Sequence, residues 1–516
     1  MTRQIPKMIG SDAEFANYIR GRRGDSSYEA VRLLLEAIPG VPAMSMWRWR
    51  ESLAYSELPT DMGRRYLLNG ACFYNDSEHC EGPTPECLTV SEFLHHWRAV
   101  LLRLQRAATR INRSLPDGER LCVGVNNSDG HSNSWASHLN VLMTREGFDA
   151  LFQKPVHFLW LASFLTTSQI YTGAGKVGSE NGAPPCKYQL SQRGGDFFQA
   201  LMSLNTMYRR GLINERDEAH AKEGFSRLHC IYYDSNLSDF ATYLKVGALQ
   251  LACAMLEADC VDSSVLLEDP VEASQTISHS LGRTPVRTLR GKNTTALDLQ
   301  YRFAESAARF VKEGLADGIV GEAETIITRW VSTLDLLRRR EFEKLCRRLD
   351  WAAKYRLIER AVAAGRCTWD APQAKMLDHA YASLDEDEGL FLAMERNNLV
   401  DQLTDPQRIA ACLDQAPEST RAYARGKLLA LGGEAVVEMD WDRITFLLPE
   451  NTRRNLAVRT FDMSDPLFWS KQNTQPAFEN ATGLEDALDK LESLRPDFPT
   501  LEQREKNDGQ PTYSSN

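Results

Sequence analysis

The sequence predicts a mixed α+β fold with a large first domain and a small C-terminal one, on three observations. Strand-like runs at 121–125, 187–192 and 228–233 stand among long stretches of helical spacing. Region 299–364 is helical in pattern almost throughout. Asp405-Pro406 and Ala416-Pro417 then punctuate a shift to a shorter mixed unit that ends in alternation over 443–448.

Taken in chain order, residues 1–90 mix short apolar runs with Gly and Pro, and within them Asp12 and Glu14 alternate on a predicted strand, so both carboxylates share one face. Phe93, Leu94, Trp97, Leu101 and Leu104 recur at helical spacing and predict a long amphipathic helix over 90–114. In the helical region the charge run at 338–348 reads as a solvated face. These boundaries give a catalytic-sized domain over 1–402, a small domain over 403–472 and a polar tail over 473–516. In the tail, Leu484, Ala487, Leu488, Leu491 and Leu494 form one stripe on an acidic helix that Pro496 ends, suited to docking in cis or to a partner.

Composition bounds the function without choosing it. With 43% hydrophobic and 25% charged residues among 516, the chain is neither collagen, coiled-coil rod nor disordered. A net charge of -10 argues against a general nucleic-acid binder, which needs a basic face to displace counterions. No window is apolar for long enough to cross a bilayer; the run 246–256 is interrupted by Gln250 and stopped by Glu257. The N-terminus lacks the apolar core of a signal peptide, and eleven scattered cysteines without CxxC pairs read as reduced thiols, so a cytoplasmic protein is expected.

The chemistry-bearing motifs of common enzyme classes, GxxxxGK[ST], GxSxG and HExxH, are absent. Polar residues cluster instead in five segments. The first is GSDAEF, where a bound divalent cation would relieve the repulsion between Asp12 and Glu14, although a solvent-facing strand edge would place them equally well. The second, NGACFYNDSEHCEGPTPEC, carries Asp76, Glu78, His79, Glu81 and Glu86, as an acidic surface turn also could. The third, VNNSDGHSNSWASHLNVLM, sets His138 beside apolar positions, where hydrogen-bonded core is the simpler role. The fourth, INERDEAHAKEGFSRLHCIYYDSN, mixes Arg216 and Arg227 with acids and His229; guanidinium forks suit phosphate oxygens while the acids suit a metal ion. The fifth, YQLSQRGGDFF, adds Arg193.

In order and spacing these segments, together with TGAGKVG and TYLKVG, resemble the Pup ligase and deamidase/depupylase family, from residue 8 to about 448. The resemblance implies the glutamine synthetase type of carboxylate-amine ligase fold, an antiparallel sheet packed with helices. It also implies ATP, or ADP with phosphate, and Mg²⁺ as cofactors, and a Pup-like modifier or pupylated protein as partner. Residue by residue, it makes Asp76 the catalytic aspartate and Asp12, Glu14, Glu81, His138 and His229 the metal cluster. Arg216 and Arg227 become phosphate-handling groups, and Trp441 lies near the nucleotide.

Two details resemble the depupylase branch: the VG and short insertion after GAGK, and the spacing from Asp76 to Glu81, one residue shorter than in ligases. The expected activity is therefore a nucleotide- and Mg²⁺-dependent amide or isopeptide hydrolase acting on a Pup-type modifier. A phosphatase or nucleotide phosphohydrolase that kept the phosphate site, and a ligase working through an acyl phosphate, are the alternatives. Several positions depart from the family pattern. Cys72 replaces an arginine, Gly82 a tyrosine and Leu139 a glutamate, Asp12 is the shorter acid, and the loop before the second segment, at 52–65, is short.

Overall fold

The computed structural model describes residues 4–43, 64–449 and 456–494. Most of the short loop at 52–65 lies outside them.

One antiparallel sheet organises the larger part of the chain. Its strands are β1 (Ile9–Arg20), β2 (Val41–Ala43), β3 (Arg64–Tyr66), β4 (Cys72–Asp76), β5 (His79–Glu81), β6 (Arg120–Gly124), β7 (Ser137–Thr144) and β12 (Phe225–Cys230). They run β12-β7-β1-β5-β4-β3-β2, and β6 pairs with the second half of β1. β1 thus lies on β7 over residues 9–13 and on β6 over residues 16–20, with β5 along its other edge. Its pleat sends Ala13, Phe15 and Ile19 into the core and Asp12 and Glu14 to the opposite face.

The core face is covered by the helices Ser27–Ala37 and Val90–Asn112; the latter carries Trp97, whose ring stacks on Phe15 at 6.0 Å. The helix begins where predicted because Thr89 caps it: Thr89 Oγ1 accepts from Glu92 N, and Glu92 reaches back to accept from Leu88 N. Two helices apolar on all sides, Pro155–Thr172 and Asp239–Glu257, run through the centre of the core, as that pattern requires. The second absorbs the apolar run at 246–256, and among the described residues no helix is long and apolar enough to cross a membrane. Helices Ala296–Lys312, Ala323–Arg339, Phe342–Cys346 and Asp350–Ala363 fill the predicted helical region.

Two strands differ from the sequence reading. Of the run 187–192 only β9 (Tyr188–Gln189) is strand, paired with β8 (Lys176–Val177). The following amides leave the ladder for side chains, Gln192 N and Arg193 N donating to the Asp234 carboxylate. The run 228–233 is shifted to start at Phe225, because beyond Cys230 the carbonyls of Ile231 and Tyr233 accept from Arg193 instead of from a strand. Two further small pairs are β10 (Phe198–Ser203) with β11 (Arg210–Asn214), and β13 (Val286–Arg287) with β14 (Asn293–Thr294).

Near the C-terminus, β15 (Val436–Met439), β16 (Arg443–Pro449) and β17 (Leu456–Asp462) form an antiparallel sheet beside the helix Ala422–Gly432. The apolar cluster between them contains Leu428, Phe446, Phe461 and Trp469. It also takes in Leu488 and Leu491 of the tail helix Leu484–Ser493, which therefore docks in cis, and Tyr66 and Cys72 from the large sheet. None of the eleven cysteines is paired.

Candidate active site

The register of the large sheet gathers the acidic and histidine residues on its open face. Asp12 of β1 lies opposite His138 of β7, Glu14 opposite Glu81 of β5, and Asn140 of β7 opposite His229 of β12. Two groups result, each with donor atoms within 4.8 Å of one another: Asp12, His138 and His229; and Glu14, Asp76 and Glu81. All five residues expected to hold metal are thus on one face, and Asp76 joins the second group.

Asp76 is positioned by a tight hairpin. Ser77 and Glu78 both take left-handed backbone angles, φ 51° and 70°, in a two-residue connection that sets Asp76 opposite His79. Asn75 Oδ1 accepts from Glu78 N at 3.0 Å and braces that turn. His79 stacks on Trp135 at 4.7 Å, with its Nδ1 3.1 Å from Phe15 O.

The electrostatics follow from crowding. Burial, with repulsion from Asp76, pushes Glu14 up to about 7. Burial and then Asp12, Glu14 and Asp76 push Glu81 well above the usual carboxylate range. Burial and neighbouring cations hold His138 and His229 far below the ordinary imidazole value, so both rings are neutral and available as ligands. His229 Nδ1 lies 2.8 Å from Asn140 Oδ1, while its buried Nε2 has no hydrogen-bond partner. An orphaned imidazole nitrogen beside Asp12 and His138, and three carboxylates in mutual contact, together fit divalent cations; the all-oxygen group suits Mg²⁺.

Arginines change along β1. At the Asp12 end stands Arg227, which donates to Asn140 Oδ1 at 3.0 Å and lies 4.0 Å from Asp12. Arg216 is half-exposed on the loop before β12, 3.9 Å from Glu218. At the Glu14 end, Arg193 and Arg210 act on the carboxylate. Arg193 is 1% exposed and is held by the carbonyls of Ile231 and Tyr233, and burial lowers it to about 9.

Beside the Asp12 end opens a cleft of about 560 Å³, measured out to solvent, between β1, the loop carrying His220, and the small domain. Trp441, on the β15–β16 turn, forms one wall, with the Arg425 guanidinium 5.0 Å from its ring centre. Arg421 is another lining residue: it donates to Glu86 at 2.8 Å, to His220 O at 2.6 Å and to Met463 O at 3.2 Å. Lys222 ties the same loop to the small domain through Ser464 O and Asp465. A flat indole, Arg227 and an edge of candidate metal ligands can hold base and phosphates of a nucleotide together.

Asn140, Arg210 and Arg421 join the site without having been singled out in the sequence, and His220 of the fourth polar segment, given no role there, lines the cleft. Alternation along β7 from His138 would have found Asn140. The other two depend on contacts between distant segments.

The departures at 72, 82 and 139 each have a structural reading. Cys72 is fully buried in the small-domain cluster. Gly82 has no room for a side chain: a Cβ would lie 2.7 Å from Phe73 and 3.2 Å from Phe15. Leu139 faces the core, on the opposite side of β7 from His138 and Asn140, so it removes no group from the site.

Residues 7–445 match the family described as Pup-ligase protein. A depupylase from Acidothermus cellulolyticus is 33% identical over 74% of this chain and 75% of its own length. A Pup deamidase/depupylase from Mycolicibacterium smegmatis is 34% identical over 74% of each. A Pup–protein ligase from Actinosynnema mirum is 34% identical over 76% of this chain and 86% of its own length. Among solved structures, the Pup ligase PafA in complex with ADP aligns with a TM-score of 0.71 at 26% identity, over 84% of this chain and 92% of that one. The ligase PafA in complex with Pup aligns over 99% of both chains with a TM-score of 0.76 at 23% identity, which speaks for the fold.

Proposed function

The chain belongs to the Pup-ligase family, and from that membership we propose that it is a nucleotide- and Mg²⁺-dependent hydrolase of an amide or isopeptide bond formed by a Pup-type modifier, working in the cytoplasm. The observation that carries the reading is the place of Asp76: at the tip of a braced hairpin, with its carboxylate among those of Glu14 and Glu81.

In this reading Trp441 and the small domain hold the base, and Arg227 with Arg216 holds the phosphates beside Asp12. Asp12, His138 and His229, and Glu14 and Glu81, would hold Mg²⁺, which supplies positive charge to phosphate and carbonyl oxygens. Asp76 acts on the scissile carbonyl as a base that takes the proton of the attacking water, or as the nucleophile itself. Either way the C–N bond breaks, the acyl carbon gains the water oxygen, and the leaving amine gains a proton. Arg193 and Arg210 stand at the Glu14 end, where negative charge develops.

A second reading, a nucleotide phosphohydrolase that no longer handles Pup, draws on Cys72, since the side chain at that motif position is packed in the small-domain core and absent from the site.

Incubation with ATP, Mg²⁺, Pup and a pupylated protein, followed by phosphate release and gel mobility, tests these readings. Release of free protein from the conjugate, abolished in Asp76→Asn, is the expected result. Steady phosphate release without Pup would favour the phosphohydrolase, and new conjugate formed from free Pup would establish a ligase.

A further inference from the structure

Arg64, at the start of β3, is a cation without a duty in the reaction above. The register sets Arg65 against Phe73 and Tyr66 against Cys72, so Arg64 stands opposite Tyr74 of β4, which in turn lies opposite Glu81 of β5. Glu81 is opposite Glu14 of β1. Cross-strand partners share a face, so Arg64, Tyr74, Glu81 and Glu14 form one row across the open face that carries the acidic groups.

The Arg64 guanidinium lies 4.2 Å from the centre of the Tyr74 ring. Among the described residues it makes no ion pair, and its buried Nε has no hydrogen-bond partner. Its neighbours supply little countercharge. Burial pushes the Cys72 thiol up to about 12 and the Tyr66 and Tyr74 phenols well above their ordinary value, so all three are neutral. Asp440, on the β15–β16 turn, acts on Arg64 from beyond ion-pair range. A guanidinium drawn out of water without a paired carboxylate is costly, and its fork suits the oxygens of an anion.

The charge reaches the nucleotide cleft. His220, which lines that cleft, is held down to about 3 by burial first and then by Arg227, with Arg421 and Arg64 adding to the effect and Asp442 opposing it. Arg227 already donates to Asn140, and Arg421 to Glu86 and two carbonyls. Arg64 has no such engagement among the described residues. The Tyr66 hydroxyl donates to Met439 O, which ties the β15–β16 turn, and with it Trp441, to the same strand β3. In the strand order, β12 with Arg227 and β3 with Arg64 lie on opposite sides of β1 and its Asp12.

From this placement we propose that Arg64 is a further phosphate-binding residue of the cleft, its guanidinium taking an oxygen of the nucleotide's phosphate chain from the β3 side while Arg227 approaches from β12. The assignment rests on the nucleotide reading of the cleft and adds a residue to its anionic end.

The probes are adenosine, ADP and ATP, each titrated by calorimetry into the whole protein with Mg²⁺ present. In Arg64→Met, which keeps an unbranched side chain against Tyr74, ADP and ATP bind about tenfold more weakly while adenosine binds as it does to wild type. Arg64→Lys, which keeps the charge without the fork, loses about threefold for ADP and ATP. Melting temperatures within a few degrees of wild type mark an intact fold in both. An equal loss for adenosine and ADP, or no loss for either, overturns the assignment and leaves Arg64 as a brace on Tyr74. If Arg64→Met does not fold, the same comparison in Arg64→Lys decides. If wild-type protein binds neither ADP nor ATP, the nucleotide reading itself falls, and this role with it.

Discussion

Asn140 shows how much one unremarkable side chain can organise. It touches Asp12 Oδ2 at 2.9 Å, the Arg227 guanidinium and His229 Nδ1, and so fixes a carboxylate, a cation and an imidazole at once. Asn140→Ala is expected to raise KM for ATP about tenfold and to lower kcat by a similar factor, read in steady-state kinetics, with the melting temperature changed by only a few degrees. Gly82 makes a complementary case. The ring of Phe73 fills the space a side chain would need, so Gly82→Tyr should destabilise the protein by about 1–3 kcal/mol or more, and Phe73→Ala should relieve part of that loss in the double variant; thermal melts of the three proteins check it. Residues of this kind divide what was legible in the sequence from what was not. Asp12 and Glu14 were legible because a period of two puts them on one face whatever the tertiary fold. Arg210 and Arg421 were not, because their partners lie at Ser134 and Glu86, and no local pattern encodes a contact across so much chain.

Among the elements, the helix Ala422–Gly432 matters through its first turn. Arg421 and Arg425 close on Glu86, at 2.8 Å and 2.5 Å, and hold its carboxyl at about 2 in spite of its burial. The depressed value means that this pairing stabilises the fold above the unfolded carboxyl value of about 4.5, and that the contribution is lost as pH falls through about 2. The shift corresponds to about 3 kcal/mol. Glu86→Gln should therefore be less stable than the parent by about that amount at pH 7, with the gap narrowing below pH 4.5; urea unfolding from pH 7 to pH 3 measures it. The long helix Val90–Asn112 was legible from its apolar spacing, and its start from Thr89 and Glu92. The strand expected over 187–192 shrank to two residues because Asp234, distant in sequence, competes for its amides.

At the scale of the whole molecule, the cleft exists because two cores meet. β1 belongs to the large core, and Trp441 packs against the small one. The tail helix braces the small core through Leu488 and Leu491, both fully buried. Leu488→Ala/Leu491→Ala should cost roughly 2–5 kcal/mol per site. Its signature would be earlier proteolysis of the C-terminal segment and weaker ATP binding, with the large core still folded. Of the two cores, the mixed α+β character was readable from pattern shifts along the chain. Their interlocking was not, since Tyr66 and Cys72 carry no mark of belonging to a core completed near the C-terminus.

That interlocking also sets a schedule. Tyr66 and Cys72 leave the ribosome early, yet the helix and strands that cover them follow about 350 residues later. At translation speeds of 5–20 residues per second, those apolar faces wait roughly 20–70 s for their cover. The newborn chain therefore passes through a defined interval with an open seam at β3 and β4, in which chaperones or neighbouring nascent chains compete with the protein's own C-terminus.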